Sequence, residues 1–167
     1  AADLSRKQNR GHRPVRVLLE HVLARQPADA IEIVMFGDEP GGTYNRILLS
    51  GVLAGSHAGP DIVTNPVEWF AANGITLHAG VRVKGLDVRG RHVLDSHGVR
   101  HPFDTVVLAT GSRPFVPPID GLVADDGSLR SGAFVFRTVD DCARIAAAAA
   151  GAQRAVVRAA VERGGRS

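Results

Sequence analysis

The sequence predicts an α/β fold: a parallel sheet carrying a small antiparallel meander insertion. Three observations predict it. Helical spacings flank one short β-branched run between Pro14 and Gly74. From Ile75 the hydrophobic period falls to two. The apolar run Thr105-Val106-Val107-Leu108-Ala109 then passes directly into Thr110-Gly111. The order is helix, strand, helix, meander, strand, which is that of an α/β domain.

Each element has a local cause. Val15, Leu18, Leu19, Val22 and Leu23 make one apolar helical face, with Pro14 tolerated in the first turn and Pro27 as the stop. Ile31 to Phe36 is short, β-branched and mostly apolar, hence a buried strand, and Gly37-Asp38-Glu39-Pro40-Gly41-Gly42 ends it with loop chemistry. Ile47 to Leu53 suits a second helix. A third starts with Asn65 as N-cap, Pro66 at the first position and Glu68 closing a capping box, and ends in a left-handed turn at Asn73-Gly74. Ile75 to His78 is a strand, and Val81, Val83, Val88 and His92-Val93-Leu94 read as hairpin strands with turns at Arg89-Gly90 and Ser96-His97-Gly98. Phe134-Val135-Phe136 and Gln153 to Val157 read as further short strands, around an alanine-rich helix capped by Thr138 and Asp141.

Bulk properties bound the class. The chain has 167 residues, 44% hydrophobic and 22% charged, which suits one soluble domain with a sizeable core. Residues 1–13 read as a frayed basic segment, 14–157 as the domain and 158–167 as an unstructured tail. There is no run long enough to span a bilayer and no signal-peptide pattern. Cys142 is the one cysteine, so an intrachain disulfide is excluded and a reducing cytoplasm fits. The net charge of +3 comes from arginines spread along the chain. The dense stretch Arg6, Lys7, Arg10, His12, Arg13, Arg16 has no aromatic platform or recognition motif beside it, so no nucleic acid is expected. His92, His97 and His101 are expected to face solvent on the hairpin, with no metal-ligand spacing. Cys142, Trp69 and Phe70 read as packing residues.

Three segments carry chemistry. In a dinucleotide fold, an acid just after the second strand accepts hydrogen bonds from the adenosine ribose. Glu39 is placed for this, with Asp38 as the alternative and a solvated loop carboxylate as the plain reading. Arg46, at the mouth of a helix, could neutralise a pyrophosphate, or could be a surface arginine of an amphipathic helix. In Ala109-Thr110-Gly111-Ser112-Arg113-Pro114, Gly111 lets the backbone pass close to a ligand, and Arg113 could reach a phosphate or a flavin edge.

Tyr44-Asn45-Arg46-Ile47-Leu48-Leu49-Ser50, together with Ala109-Thr110-Gly111-Ser112-Arg113-Pro114-Phe115-Val116-Pro117-Pro118, resembles the large subunits of the NAD(P)H-dependent assimilatory nitrite reductases. More broadly the chain is similar to the pyridine-nucleotide flavoprotein oxidoreductases, from about Gly11 to Val157. The resemblance implies a Rossmann-like FAD/NAD(P)-binding domain. It implies that Glu39 binds the FAD adenosine ribose, that Arg46 faces the pyrophosphate and that Val83, beside Arg82, pairs its backbone with the adenine. It implies that Ala109, Thr110, Gly111 and Arg113 line the FAD. Many relatives carry a lysine soon after the helix-start serine; Gly51 follows Ser50 here, so no lysine role transfers.

The family pattern also calls for a first strand and a Gly-x-Gly-x-x-Gly turn, where the chain has Ala1 to Arg13 with only Gly11. The first strand is therefore expected to be missing. No second glycine-rich turn follows Arg154-Ala155-Val156-Val157, so both ends read as truncated or frame-shifted. The segments ending at Phe36 and Ala109 are expected to be neighbouring parallel strands opening on a shared crevice. The function expected is the FAD-binding portion of an NAD(P)H oxidoreductase that passes electrons to an acceptor, with no catalytic side chain of its own and the isolated chain inactive. The alternative is a remnant, or a module that binds a partner subunit without FAD.

Overall fold

The computed structural model describes residues 14–25 and 30–157. The chain divides into two units, Ala1–Arg113 and Pro114–Ser167.

In the first unit, helix α1 (Pro14–Leu23) precedes strand β1 (Ile33–Gly37). Strand β2 (Thr43–Tyr44) leads through a 3₁₀ turn at Arg46–Leu48 into the short helix α2 (Leu49–Leu53). Strand β3 (Val63–Asn65), helix α3 (Val67–Ala72) and strand β4 (Ile75–Ala79) follow. The meander is β5 (Val83–Asp87), β6 (His92–Asp95) and β7 (Arg100–Pro102). β1 and β4 pair in parallel, Ile33 opposite Ile75 through Gly37 opposite Ala79. β2 and β3 pair antiparallel, as do β5–β6 and β6–β7.

Strand alternation sends successive side chains of the parallel pair to opposite faces. On one face, Leu19 of α1, Phe70 of α3 and Ile75 of β4 form the buried core, with Leu23, Ile33, Met35, Trp69 and Leu77 packed against it. Phe70 is 1% exposed, and Trp69 meets its ring edge-on at 5.2 Å. Full burial of such a side chain contributes about 1.5–3 kcal/mol. On the other face, Phe36 stacks on His78, its register partner, at 4.8 Å. His101 of β7 closes edge-on against Phe36, also at 4.8 Å. Helices thus cover one face of the parallel pair and the meander touches the other. His101 turns inward onto this stack rather than facing solvent as the hairpin reading expected, because its ring completes an aromatic contact that water would not replace.

The third helix starts one step later than expected. Asn65 is not its N-cap; Pro66 holds that position without a side-chain cap bond. Asn65 belongs to β3, is buried, and its Oδ1 accepts from the Thr43 hydroxyl at 3.1 Å, so its side chain is committed across the β2–β3 pair. The left-handed turn expected at its far end is present, with Gly74 at φ +70°.

Three expected strands are not strands. Thr105 to Ala109 leaves the meander as exposed chain outside every sheet, with Leu108 71% exposed. The neighbour of β1 is β4, so the expected pairing of the segments ending at Phe36 and Ala109 does not occur. An apolar β-prone run becomes a strand only where a neighbouring ladder receives its N–H and C=O groups, and none stands beside this one. For the same reason Phe134 to Phe136 and Gln153 to Val157 are irregular. The expected readings of residues 1–13, of Pro27 and of residues 158–167 lie outside the described residues.

In the second unit, Val123 and Leu129 form an isolated antiparallel bridge, and helix α4 (Val139–Ala149) follows. The capping box read from sequence is present. Thr138 Oγ1 accepts from the Asp141 N–H at 3.1 Å, and Asp141 Oδ2 accepts from the Thr138 N–H at 2.9 Å. Cys142 is buried in this helix, and burial pushes its thiol pKa up, with Asp141 adding to the rise.

Candidate functional site

The carboxyl ends of β1 and β4 are tied together by backbone. The Val81 N–H donates to the Gly37 carbonyl at 2.9 Å, and the Gly80 N–H donates to the Glu39 carbonyl at 2.9 Å. These bonds fix the loop that carries Asp38 and Glu39 at the end of the parallel pair. They also bring the start of β5, and so Val83, next to that loop.

The two candidate carboxylates differ in surroundings. Asp38 faces Arg82 at 3.3 Å, with both side chains more than half exposed, a pairing worth little in water. Glu39 is half-buried. Its Oε2 accepts from the Tyr44 hydroxyl at 2.5 Å, and its Oε1 accepts from Arg46 Nη2. Arg46 Nη1 donates to the Tyr44 hydroxyl oxygen at 2.9 Å, and the guanidinium carbon lies 4.9 Å from the Tyr44 ring centroid. Side-chain exposure is 29% for Glu39 and 25% for Arg46, so this ion pair is screened less than the Asp38–Arg82 pair.

Local sequence dictates the arrangement. Thr43 pairs with Asn65 and Tyr44 with Val63, and the Asn45 N–H donates to the Ile62 carbonyl at 2.8 Å. Asn45 then caps the 3₁₀ turn, its Oδ1 accepting from the Ile47 N–H at 3.2 Å. Arg46 is therefore held at the first position of that turn. Before the strand, Gly42 passes so close to β3 that a Cβ on it would lie 1.9 Å from the Asn65 carbonyl oxygen. Only glycine fits there.

The structure brings Glu39 and Arg46 into direct contact and places Val83 at the start of β5. That strand is the outer member of the meander, so one edge of its backbone has no ladder partner within the sheet. Ala109, Thr110, Gly111 and Arg113 lie on the exposed chain after β7, with Gly111 at φ +68°. No strand carries them alongside Glu39 and Arg46. The group that sequence reasoning missed is Tyr44. It was part of the diagnostic motif, two residues before Arg46, but its place beside Glu39 follows from the pairing of β2 with β3, for which the sequence carried no local signal. Among the described residues no group of three or more His, Cys, Asp or Glu side chains could hold a metal ion. No helix there is long and apolar enough to cross a membrane.

The sequence profile of the pyridine nucleotide-disulphide oxidoreductase family matches residues 21–160. The chain belongs to this family. Within it, the chain is 40% identical over 126 residues to the assimilatory nitrate reductase electron transfer subunit of Bacillus subtilis (strain 168), covering 75% of this chain and 16% of that protein. It is 37% identical over 139 residues to the nitrite reductase [NAD(P)H] large subunit of Klebsiella oxytoca, covering 83% of this chain and 14% of that one. The resemblance expected from the motifs is present. Among solved structures, putidaredoxin reductase in its covalent complex with putidaredoxin matches with a TM-score of 0.62 and 25% identity, over 79% of this chain and 31% of that one. The fold is thus the α/β architecture of FAD/NAD-binding oxidoreductases. The chain spans about a sixth or less of the length of these two curated relatives.

Proposed function

We propose that the first unit binds the adenosine half of FAD, as the FAD-binding portion of an NAD(P)H-dependent oxidoreductase of the nitrite reductase large-subunit type. One observation carries the reading: the half-buried Glu39 carboxylate, fixed by Tyr44 and Arg46 at the carboxyl end of a parallel strand. Ligands of open α/β sheets bind at such ends, and an acid there takes the ribose hydroxyls.

The donor set fits the ligand. An ionised carboxylate has about four acceptor positions. Tyr44 donates to one oxygen of Glu39 and Arg46 to the other, and the remaining acceptor positions suit two ribose hydroxyls once the arginine turns to the pyrophosphate. Arg46 supplies a cation suited to a pyrophosphate, and the open edge of β5 at Val83 supplies backbone groups for the adenine. Ala109, Thr110, Gly111 and Arg113 would line the flavin side, where Gly111 lets the chain turn without a Cβ in the way. When bound, FAD supplies the chemistry of accepting a hydride from NAD(P)H and passing electrons to an acceptor. This chain's residues bind and orient it.

A second reading is a chain that docks on a partner subunit without FAD. The exposed apolar run Val106-Val107-Leu108 favours it. Purification from a flavin-rich host separates the two: the FAD reading expects a yellow protein with a flavin absorbance band, and a colourless protein that FAD cannot reconstitute would overturn it.

A further inference from the structure

We propose that Tyr44 is the positioning residue of the adenosine site, holding the Glu39 carboxylate in place while Arg46 is drawn away to a phosphate. The inference rests on the adenosine-site reading above and adds a residue and an order of events to it.

Tyr44, Glu39 and Arg46 form a closed ring of hydrogen bonds. The tyrosine hydroxyl has one proton, and that proton goes to Glu39 Oε2 at 2.5 Å. Its oxygen accepts from Arg46 Nη1 at 2.9 Å, and Arg46 Nη2 closes the ring on Glu39 Oε1. In this closed state the guanidinium neutralises Glu39 and covers one of its oxygens. The hydroxyls of a ribose carry no charge and are poor competitors for a carboxylate already paired with a guanidinium. A pyrophosphate competes charge for charge, and Arg46 is the part that can move.

Once Arg46 turns to a phosphate, Glu39 retains Tyr44 as its anchor. The anchor is set by backbone rather than by ligand. Tyr44 lies in a strand paired with Val63, the next N–H bonds to the Ile62 carbonyl, and Ile62 is buried. The phenol therefore stays while the arginine moves. The site would then admit ribose only in molecules that also bring a phosphate: a nucleoside diphosphate binds, and the bare nucleoside binds poorly.

The test is a cycle on the whole chain between Tyr44→Phe and the ribose hydroxyls, with ADP, 2′,3′-dideoxy-ADP and adenosine as probes. Phenylalanine keeps the ring beneath Arg46 and removes only the hydroxyl. The expected result is about tenfold weaker ADP binding in Tyr44→Phe, with 2′,3′-dideoxy-ADP almost unchanged, because the lost hydroxyl acts through Glu39 on the ribose. Wild type is expected to bind adenosine far more weakly than ADP. Equal weakening of both diphosphates would mark a general packing role and overturn the proposal, as would unchanged ADP binding. If wild type binds neither FAD nor ADP, the adenosine-site reading falls too; if it binds both and the cycle shows no coupling, only the role of Tyr44 falls. A second measurement needs no variant. Tyr44 is the one tyrosine in the chain, so ADP should produce a saturable tyrosine ultraviolet difference band. Its absence under saturating ADP would also overturn the proposal.

Discussion

The Nε2 atom of His101 lies 3.0 Å from Oδ2 of Asp95, a carboxylate that is itself buried at the end of β6. The other oxygen of Asp95, Oδ1, accepts from the His97 N–H at 2.8 Å and from the Val99 N–H at 2.9 Å. One carboxylate therefore shapes the β6–β7 turn and fixes the imidazole that packs on Phe36 and His78. Because an ionised carboxylate only accepts, the His101 ring donates through Nε2. The meander and the parallel pair meet through this group.

Acid should loosen that junction. The hydrogen bond from His101, supported by the Val99 and His97 N–H groups, outweighs desolvation and lowers the Asp95 pKa to about 2 from an ordinary 3.8. A carboxylate depressed in the folded state contributes stability that is complete above its unfolded pKa and is lost as pH falls toward the folded one. The window is about pH 4 to about 2. Asp95→Asn should unfold at lower urea than wild type at neutral pH, and the gap between the two should close across that window. A gap that stays constant from neutral pH to pH 2 would show that the carboxylate charge contributes nothing.

The helical face of the parallel pair depends on one ring. Phe70 is buried between Leu19 and Ile75 and meets Trp69 edge-on. Phe70→Ala should destabilise the first unit by about 3–5 kcal/mol, through lost burial and the cavity left behind. Urea denaturation followed by Trp69 fluorescence, the one tryptophan in the chain, measures this directly. A loss under about 1 kcal/mol would mean that the helices can close over the gap.

Elements whose cause is local were legible in the sequence. The α4 capping box needs only Thr138 and Asp141, the turn at Gly74 needs only a residue that tolerates positive φ, and the period-two meander shows in its own residues. Elements whose cause is a distant partner were not. Thr105 to Ala109 has the composition of a strand and lacks the neighbour that makes one. Asn65 has the chemistry of an N-cap, and Thr43, twenty-two residues earlier in the chain, takes its side chain instead. In the site, Glu39 and Arg46 each fitted a plain surface role on their own, and only the resemblance carried by the surrounding motifs gave them a dinucleotide role. Their direct pairing, and the Tyr44 hydroxyl between them, arises from the β2–β3 pairing, which no periodicity records.

Neutralising Glu39 should weaken the site without unfolding the chain. Glu39→Gln keeps the shape but replaces a charged acceptor with a neutral amide, and hydrogen bonds to charged groups contribute about 1.5–3 kcal/mol. Affinity for FAD or ADP should fall about 10- to 100-fold, measured by calorimetric titration, with circular dichroism unchanged. Asp38→Asn should leave affinity unchanged, because the exposed pair with Arg82 contributes little. If Asp38→Asn were the damaging change, the ribose acid would be Asp38.

Gly42 sets where the Tyr44 strand begins. A methyl group there would lie 1.9 Å from the Asn65 carbonyl oxygen and 3.0 Å from the Pro66 carbonyl carbon, both backbone atoms that cannot rotate aside. Gly42→Ala must therefore push β2 away from β3, at a cost of about 1–3 kcal/mol for overpacking. The displacement falls on the Thr43–Asn65 and Tyr44–Val63 pairs, and so on the hydroxyl that holds Glu39. Lower thermal stability and weaker ADP binding should appear together in Gly42→Ala. Gly55→Ala serves as the control, at a positive φ of 76° with open space around it. It should lower stability by about 1–2 kcal/mol through backbone strain alone and leave ADP affinity intact. Equal loss of affinity in both variants would mean that binding tracks global stability rather than the position of β2.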